Sequence, residues 1–478
     1  MNTRPLMPSP SPSPFAHDGH SGEGRRDTIA PSPEKEVIML DASYRQTLSP
    51  EAELVLLASR ITLEGERAAR FDHLLGRGQP FPGERRRIAK HNRVAPLSWT
   101  LILFLCAKHR VTGLLGRHLS ARGWRFVPPE VVAGMTRYFG AMALHSSALG
   151  GELARVSSHL EKAGVPVVSF KGPTLATALY GNGAVRPSAD IDLLVPRSHV
   201  QRAHALLREL GYSHEVDLSP AQEKEHLRVD SVFNLRRPSP PEIADLFPYG
   251  LAVELHWAIT SPCLPFDFTF ESVEKGLYPL QARGQLNGVA ALSPHDLFLI
   301  LAVHGAKHLW ERLLWLSDIT QLLERNPDMD WDKVLSSAHE REIERMVALC
   351  LALVHDVMGT PLPVQVTDWL STQPQALRLA SRLRRGLLWH EKEDALRARG
   401  YNSLLLPVDD DDAPANIAAN HLLAQTIDRP LKRLGFYWHI ATTPSARERA
   451  QVDLPAGFES LWTVLQPIHA IQKRWRRF

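Results

Sequence analysis

The hexapeptide Asp190-Ile191-Asp192-Leu193-Leu194-Val195 limits the fold of this chain more sharply than any other feature. Residues two apart in an extended chain point to one side, so both carboxylates share a face while Ile191, Leu193 and Val195 share the other. The apolar residues require a buried strand. The two acids require something on their own side that offsets their mutual repulsion, and a hard cation such as Mg2+ takes oxygen ligands of this kind. On that reading the pair repels itself without a cation, so neutralising Asp192 should leave stability unchanged or raise it. The plainer alternative is a solvated strand end, because an Asp-apolar-Asp triplet alone recurs by chance.

The neighbouring residues favour chemistry. Upstream, Phe170-Lys171-Gly172-Pro173-Thr174 reads as a strand end turning tightly into a helix. Gly172 there lets backbone approach a phosphate, and the free N–H groups at the helix start, with Thr174 among the first residues, favour an anion. Lys171 supplies a point charge for triphosphate oxygens, and Arg186 a fork that matches a phosphate. The alternative for both is a plain structural ion pair with the acids. Downstream, Val253-Glu254-Leu255-His256-Trp257 alternates, so Val253, Leu255 and Trp257 pack inward and Glu254 and His256 share the opposite face. Glu254 is then a third carboxylate, enough with Asp190 and Asp192 to hold two Mg2+ ions. Its alternative is an ordinary exposed strand residue. For His256 the choice lies between support of Glu254 and packing.

The strand-rich window is flanked by helical patterning. Apolar residues recur at three- and four-residue spacing from about Ser49 to Leu160. Ser49-Pro50-Glu51-Ala52 is a helix start, Gln79-Pro80-Phe81-Pro82-Gly83 a break, and Gly164-Val165-Pro166 a stop. Strands are expected at Val167–Phe170, Ile191–Val195, Val229–Leu235 and Leu251–Trp257, with helices at Thr174–Tyr180 and Arg197–Leu210. The helical period returns after Pro294 and holds to about Leu387. With 478 residues, two or three packed units are expected. The fold class is therefore α+β: a mixed sheet with helices, held between helical segments. The division is a Pro/Ser-rich tail over 1–45, read as disordered; a helical segment over 46–150; a core over 151–290; a helical domain completing the cleft over 291–400, near an acidic turn at Asp409 to Asp412; and a C-terminal segment over 401–478. Lys473-Arg474-Trp475-Arg476-Arg477 reads as a solvated helix end.

The apolar fraction of 44% and charged fraction of 22% are those of a soluble globular protein. No run approaches the roughly 18 apolar residues of a spanning helix, and no signal-like h-region opens the chain. Three scattered cysteines, Cys106, Cys263 and Cys350, argue for a reducing compartment. Location is thus expected to be cytoplasmic, without a membrane partner. A net charge of +3 argues against a long nucleic-acid partner.

The run Lys171-Gly172, Leu175-Ala176, Leu179-Tyr180, Arg186, Asp190 to Val195 and Glu254-Leu255-His256-Trp257 resembles the uncharacterised bacterial nucleotidyltransferase family of the DNA polymerase beta-like superfamily. The resemblance covers roughly residues 90 to 340. It implies the minimal nucleotidyltransferase fold, Mg2+, a nucleoside triphosphate such as ATP as donor, an unidentified acceptor, and partner proteins of a shared biosynthetic pathway. The superfamily usually carries Gly-Ser or Gly-Gly at the phosphate turn. Here the pair is Lys171-Gly172, so triphosphate contacts do not carry over atom by atom.

A second cluster falls on a helix expected from about Asp296 to Leu323. His304, Lys307, His308, Glu311, Trp315 and Asp318 follow three- and four-residue steps along one stripe, amid apolar faces. The stripe resembles the helical motif of the same family and is suited to wall a nucleotide pocket, with Trp315 stacking a base and Lys307 meeting phosphate. A satisfied buried polar network is the alternative. His304 and His308 stand at zinc-compatible spacing, but no HExxH pattern accompanies them. Two other function classes remain. His355-Asp356, with His304 and Asp409, suggests an HD-type metal phosphohydrolase. A nucleotide-binding module without turnover is the other.

Overall fold

The computed structural model describes residues 48–76, 96–388, 417–443 and 448, except 182, 217, 261, 263, 265–267 and 283. The Pro/Ser-rich tail, the Gln79–Gly83 break, Cys263, the Asp409–Asp412 turn and the basic C-terminal end lie outside the described residues.

Helix α1 (Pro50–Ala58) starts as the sequence indicates: Ser49 Oγ accepts from the Ala52 N–H, with Pro at the first turn and acids following. Helices α2 (Gly65–Leu75), α3 (Trp99–Lys108) and α4 (Thr112–Ala121) follow, then the long α5 (Pro129–Lys162). Gly164 takes a left-handed φ of +74° and turns the chain into the sheet.

The five strands are β1 (Val168–Ser169), β2 (Asp190–Leu194), β3 (Ser213–His214), β4 (Val232–Arg237) and β5 (Leu251–His256), ordered β1-β2-β5-β4-β3. β2 and β5 run parallel, and the other neighbours antiparallel. Between them lie helices α6 (Gly172–Tyr180), α7 (Val200–Glu209) and α8 (Pro220–Val229). The strand expected from Val229 begins at Val232. A capping box between Ser219 and Gln222 starts α8, and that helix runs through Val229.

The sheet is covered on both faces. Ile191, Leu193, Val195, Phe233, Leu235, Val253, Leu255 and Trp257 form one core with Ala203 and Leu207 of α7 and Leu153 and Val156 of α5. Val168 and Leu194 join the larger helical core on the other face. Asp190 and Asp192 have the parity of Leu194, so they face the helical half of the molecule.

That half comprises α9 (Phe270–Val273), α10 (Pro294–Lys307), α11 (Leu313–Arg325), α12 (Trp331–Glu340), α13 (Glu344–Met358), α14 (Val364–Ser371), α15 (Pro374–Leu387), α16 (Ile417–Gln425) and α17 (Pro430–Thr442), with a small ribbon of β6 (Tyr278–Pro279) and β7 (Ala290–Ala291). The single helix expected over Asp296 to Leu323 is broken. Leu309 and Trp310 take left-handed φ values of +53° and +54°, and the Trp310 N–H bonds the Gly305 carbonyl at 2.8 Å. The buried Trp310 ring folds back onto Gly305, where any Cβ would lie 2.4 Å from it. Burial of one large aromatic outweighs the cost of two strained residues. None of the described helices is long and apolar enough to cross a membrane.

Candidate active site

Strand pairing builds the site. In the parallel β2–β5 ladder Asp192 lies directly beside Glu254, and Asp190 beside Ala252. In the β5–β4 ladder Glu254 is flanked on its other side by Asn234. One row across three strands therefore reads Asp192, Glu254, Asn234, all on the helical face. Asp192, Glu254 and His256 each place a ligand-type atom within 4.8 Å of the other two. Asp190 stands outside that trio, two residues along the same face.

Lys171 closes the row. It precedes α6, and its Nζ lies 2.7 Å from Asp192 Oδ1. Gly172 makes this placement possible. Its φ is +53°, and a Cβ there would lie 2.7 Å from the Asp190 carbonyl oxygen, so both the turn and the contact with β2 require glycine. Thr174 is buried and donates to Ser169 Oγ at 2.8 Å, pinning the turn to β1.

The charges divide unevenly. Burial pushes the Asp190 carboxyl up, and the charges of Asp192 and Glu254 push it further, to about 7. Burial acts on Asp192 the same way, but Lys171 and His256 more than reverse it and hold that carboxyl well below the usual range. Glu254 is held low against burial by a hydrogen bond with His256, 3.0 Å from Nε2 to Oε2. His256 is fully enclosed; Asp192 and Glu254 overcome the burial penalty and raise it. Burial also opposes the Lys171 ammonium, which the three acids hold above its ordinary value. The sequence-level picture of two simply repelling acids thus needs correction: Asp192 is the stabilised member, and Asp190 the strained one.

Arg186 does not reach into an open cleft. It forks onto Asp318 with two bonds of 2.8 Å, Tyr180 donates to the same carboxylate at 2.9 Å, and Arg186 and Asp318 are both buried. The two residues assigned to phosphate and pocket wall therefore lock the loop before β2 to α11. His304, His308 and Trp315 remain together despite the helix break, with ring centroids 4.8 to 5.4 Å apart. Burial drives both histidines down, His308 to about 3, and the nearby charge of Lys171 lowers each further. This corner is hence aromatic and neutral, and it borders Lys171. Lys307 is exposed beside it.

Two residues escaped the sequence reading. Asn234 was an unremarkable strand position until pairing set it beside Glu254. Arg110 follows the apolar helix α3 without a motif to mark it, yet its charge acts on Asp190 and His308. Its left-handed φ of +56° has no local signature, since neither Gly nor Asn stands there. His355 and Asp356, the HD candidate, serve helix packing: the His355 ring bonds the Thr360 carbonyl at 3.1 Å, and Asp356 meets Arg384 at 3.3 Å. Asp409 lies outside the described residues.

Residues 95–359, more than half of the chain, match the family described as uncharacterised nucleotidyltransferase. Neither a curated protein nor a solved structure matches the chain.

Proposed function

We propose, from the fact that this chain belongs to the uncharacterised nucleotidyltransferase family and is a transferase of phosphorus-containing groups, that it moves a nucleotidyl group from a nucleoside triphosphate such as ATP to a hydroxyl or phosphate on a small molecule, peptide or sugar. The observation that carries this reading is the Asp192–Glu254 row with Asp190 beside it and Lys171 at its rim.

The donor set fits a hard divalent cation. Its oxygens are carboxylates brought together by the β2–β5 pairing, and burial with the charges of Asp192 and Glu254 pushes Asp190 toward neutrality, a penalty a bound cation would relieve. Asp190, Asp192 and Glu254 would hold Mg2+, two ions in the full reading, and bound metal would supply charge neutralisation of the triphosphate and activation of the acceptor. In the transfer, the acceptor oxygen forms a bond to the α-phosphorus, the bond from that phosphorus to the β-bridging oxygen breaks, and pyrophosphate leaves. The acceptor proton passes to the carboxylate cluster. Lys171 meets phosphate oxygens at the start of α6, where free N–H groups favour the same charge. His256 fixes the orientation of Asp192 and Glu254. The neutral corner of His304, His308 and Trp315 offers a stacking surface for the base.

The test is incubation of the purified protein with α-labelled nucleoside triphosphates, Mg2+ and fractionated cell extract. Label transferred to an acceptor with matching pyrophosphate release is the expected result. Release of inorganic phosphate without label transfer would overturn the reading in favour of a hydrolase or kinase.

A further inference from the structure

On the opposite face of the sheet from the carboxylates, three side chains from three elements converge. His204 lies on α7, His214 on the edge strand β3 and Glu223 on α8, and each places a ligand-type atom within 4.8 Å of the other two. Strand pairing explains the meeting. His214 sits opposite Leu235 in the β3–β4 ladder, so it shares the face of Leu235 and Phe233, against which α7 packs. The capping box at Ser219 and Gln222 sets Glu223 in the first turn of α8, turned toward His214. In the strand order β4 and β5 separate β3 from β2, so this cluster is distinct from the Asp192 row.

The cluster is also chemically incomplete. The His204 ring is buried, with 6% of the residue exposed, and its Nε2 has no hydrogen-bond partner. A buried polar atom left so costs about 1–3 kcal/mol, and native structures rarely tolerate it unexplained. His214 Nε2 stands 3.1 Å from Glu223 Oε1, and the two imidazole centroids are 4.5 Å apart. Burial, and then the neighbouring His214, bring His204 down to about 4, so its ring is neutral at neutral pH, the form that binds metal. His226 is engaged elsewhere: it stacks on Phe233 and bonds the Val232 carbonyl. Arg208 opposes a cation, but its charge is a minor influence on His204 beside burial. Two imidazoles and one carboxylate are donors of the zinc class, and three protein ligands leave a position for water.

We infer that His204, His214 and Glu223 form a Zn2+-class site that clips the edge strand β3 to α7 and α8. A plain stack of two histidines on Phe233, with a His214–Glu223 hydrogen bond, is the competing account.

Full-length protein, stripped with chelator and titrated with Zn2+ and in parallel with Co2+, separates the two. Three variants are compared: Glu223→Gln, His214→Ala, and Asp192→Asn, the last disabling the other triad able to hold metal among the described residues. Wild type and Asp192→Asn should each bind a zinc ion that Glu223→Gln and His214→Ala bind at least about a hundredfold more weakly, a larger loss than most outer-shell changes cause. Co2+ should give the strong visible bands of four-coordinate cobalt in Asp192→Asn and not in Glu223→Gln. Glu223 is partly exposed and glutamine is isosteric, so that variant carries the test if His214→Ala does not fold. Zinc binding that is absent from wild type, unchanged in folded Glu223→Gln, or abolished by Asp192→Asn alone in folded protein overturns the inference.

Discussion

Replacing Asp190 and Asp192 by asparagine, one at a time, in metal-free protein should shift stability in opposite directions. Asp192 is 1% exposed and pairs with Lys171 at 2.7 Å. Removing one partner of a buried pair costs about 3–5 kcal/mol. The Lys171 side chain keeps 19% of its exposure, so some solvation remains, and the expected cost is about 3 kcal/mol. Asp190 has no such partner; burial and its acidic neighbours raise its carboxyl from the ordinary 3.8 to about 7. At about 1.4 kcal/mol per pKa unit the ceiling is about 4 kcal/mol for holding it ionised. Asp190 is half-buried, and solvent screening reduces this to about 1–2 kcal/mol. The sign follows from linkage: a carboxyl raised in the folded state favours folding fully below its unfolded pKa, and that contribution is lost as pH rises through about 7. Asp190→Asn should therefore match wild type below about pH 4 and gain on it as the pH rises to about 7, while Asp192→Asn should melt earlier throughout. Thermal unfolding followed by circular dichroism in EDTA, at about pH 4 and above pH 7, reads both effects. A folded Asp192→Asn protein that melts at or above wild type, or an Asp190→Asn protein less stable at alkaline pH, would refute the charge assignment.

Three further changes test other parts of the structure. Gly172→Ala forces a side chain into the left-handed region and against the Asp190 carbonyl, so it should cost about 1–3 kcal/mol and at least about tenfold in transfer rate, measured by melting and by pyrophosphate release. Arg186→Met leaves Asp318 buried with the Tyr180 hydroxyl as donor and without its guanidinium partner, and should cost about 3–5 kcal/mol in chemical denaturation. Burial opposes the Glu152 carboxylate, but Arg155, Arg237 and Tyr212 hold it down at about 2, so its stabilisation is present above about pH 4.5 and lost as pH falls through about 2. Glu152→Gln should thus lower the melting temperature at pH 7 while flattening the acid limb of the stability profile, and a parallel profile would contradict the ion-pair reading.

The sequence by itself determined on which kind of element the candidate site residues of Asp190 to Val195 and Val253 to Trp257 stand. Alternation at Asp190 to Val195 and Val253 to Trp257 fixes which side chains share a face, because strand geometry has period two whatever surrounds it. The Ser49 cap and the stop at Gly164 are likewise local, set by backbone hydrogen bonding and by glycine's access to left-handed φ. Strand order and loop packing are not local. That Asp192 lies beside Glu254, and Glu254 beside Asn234, follows from β5 inserting between β2 and β4, which no residue-level pattern encodes. The break at Leu309 and Trp310 depends on the cavity that Gly305 leaves for an indole, so three- and four-residue spacing read straight through it. Arg186 looked like a phosphate fork because its chemistry allows that; only the tertiary structure delivered Asp318 and Tyr180 to it from elsewhere in the chain. The inequality of Asp190 and Asp192 was equally invisible in a symmetric triplet. It arises because the turn at Gly172 brings one ammonium to one of the two carboxylates, and in a buried site the nearest charge decides.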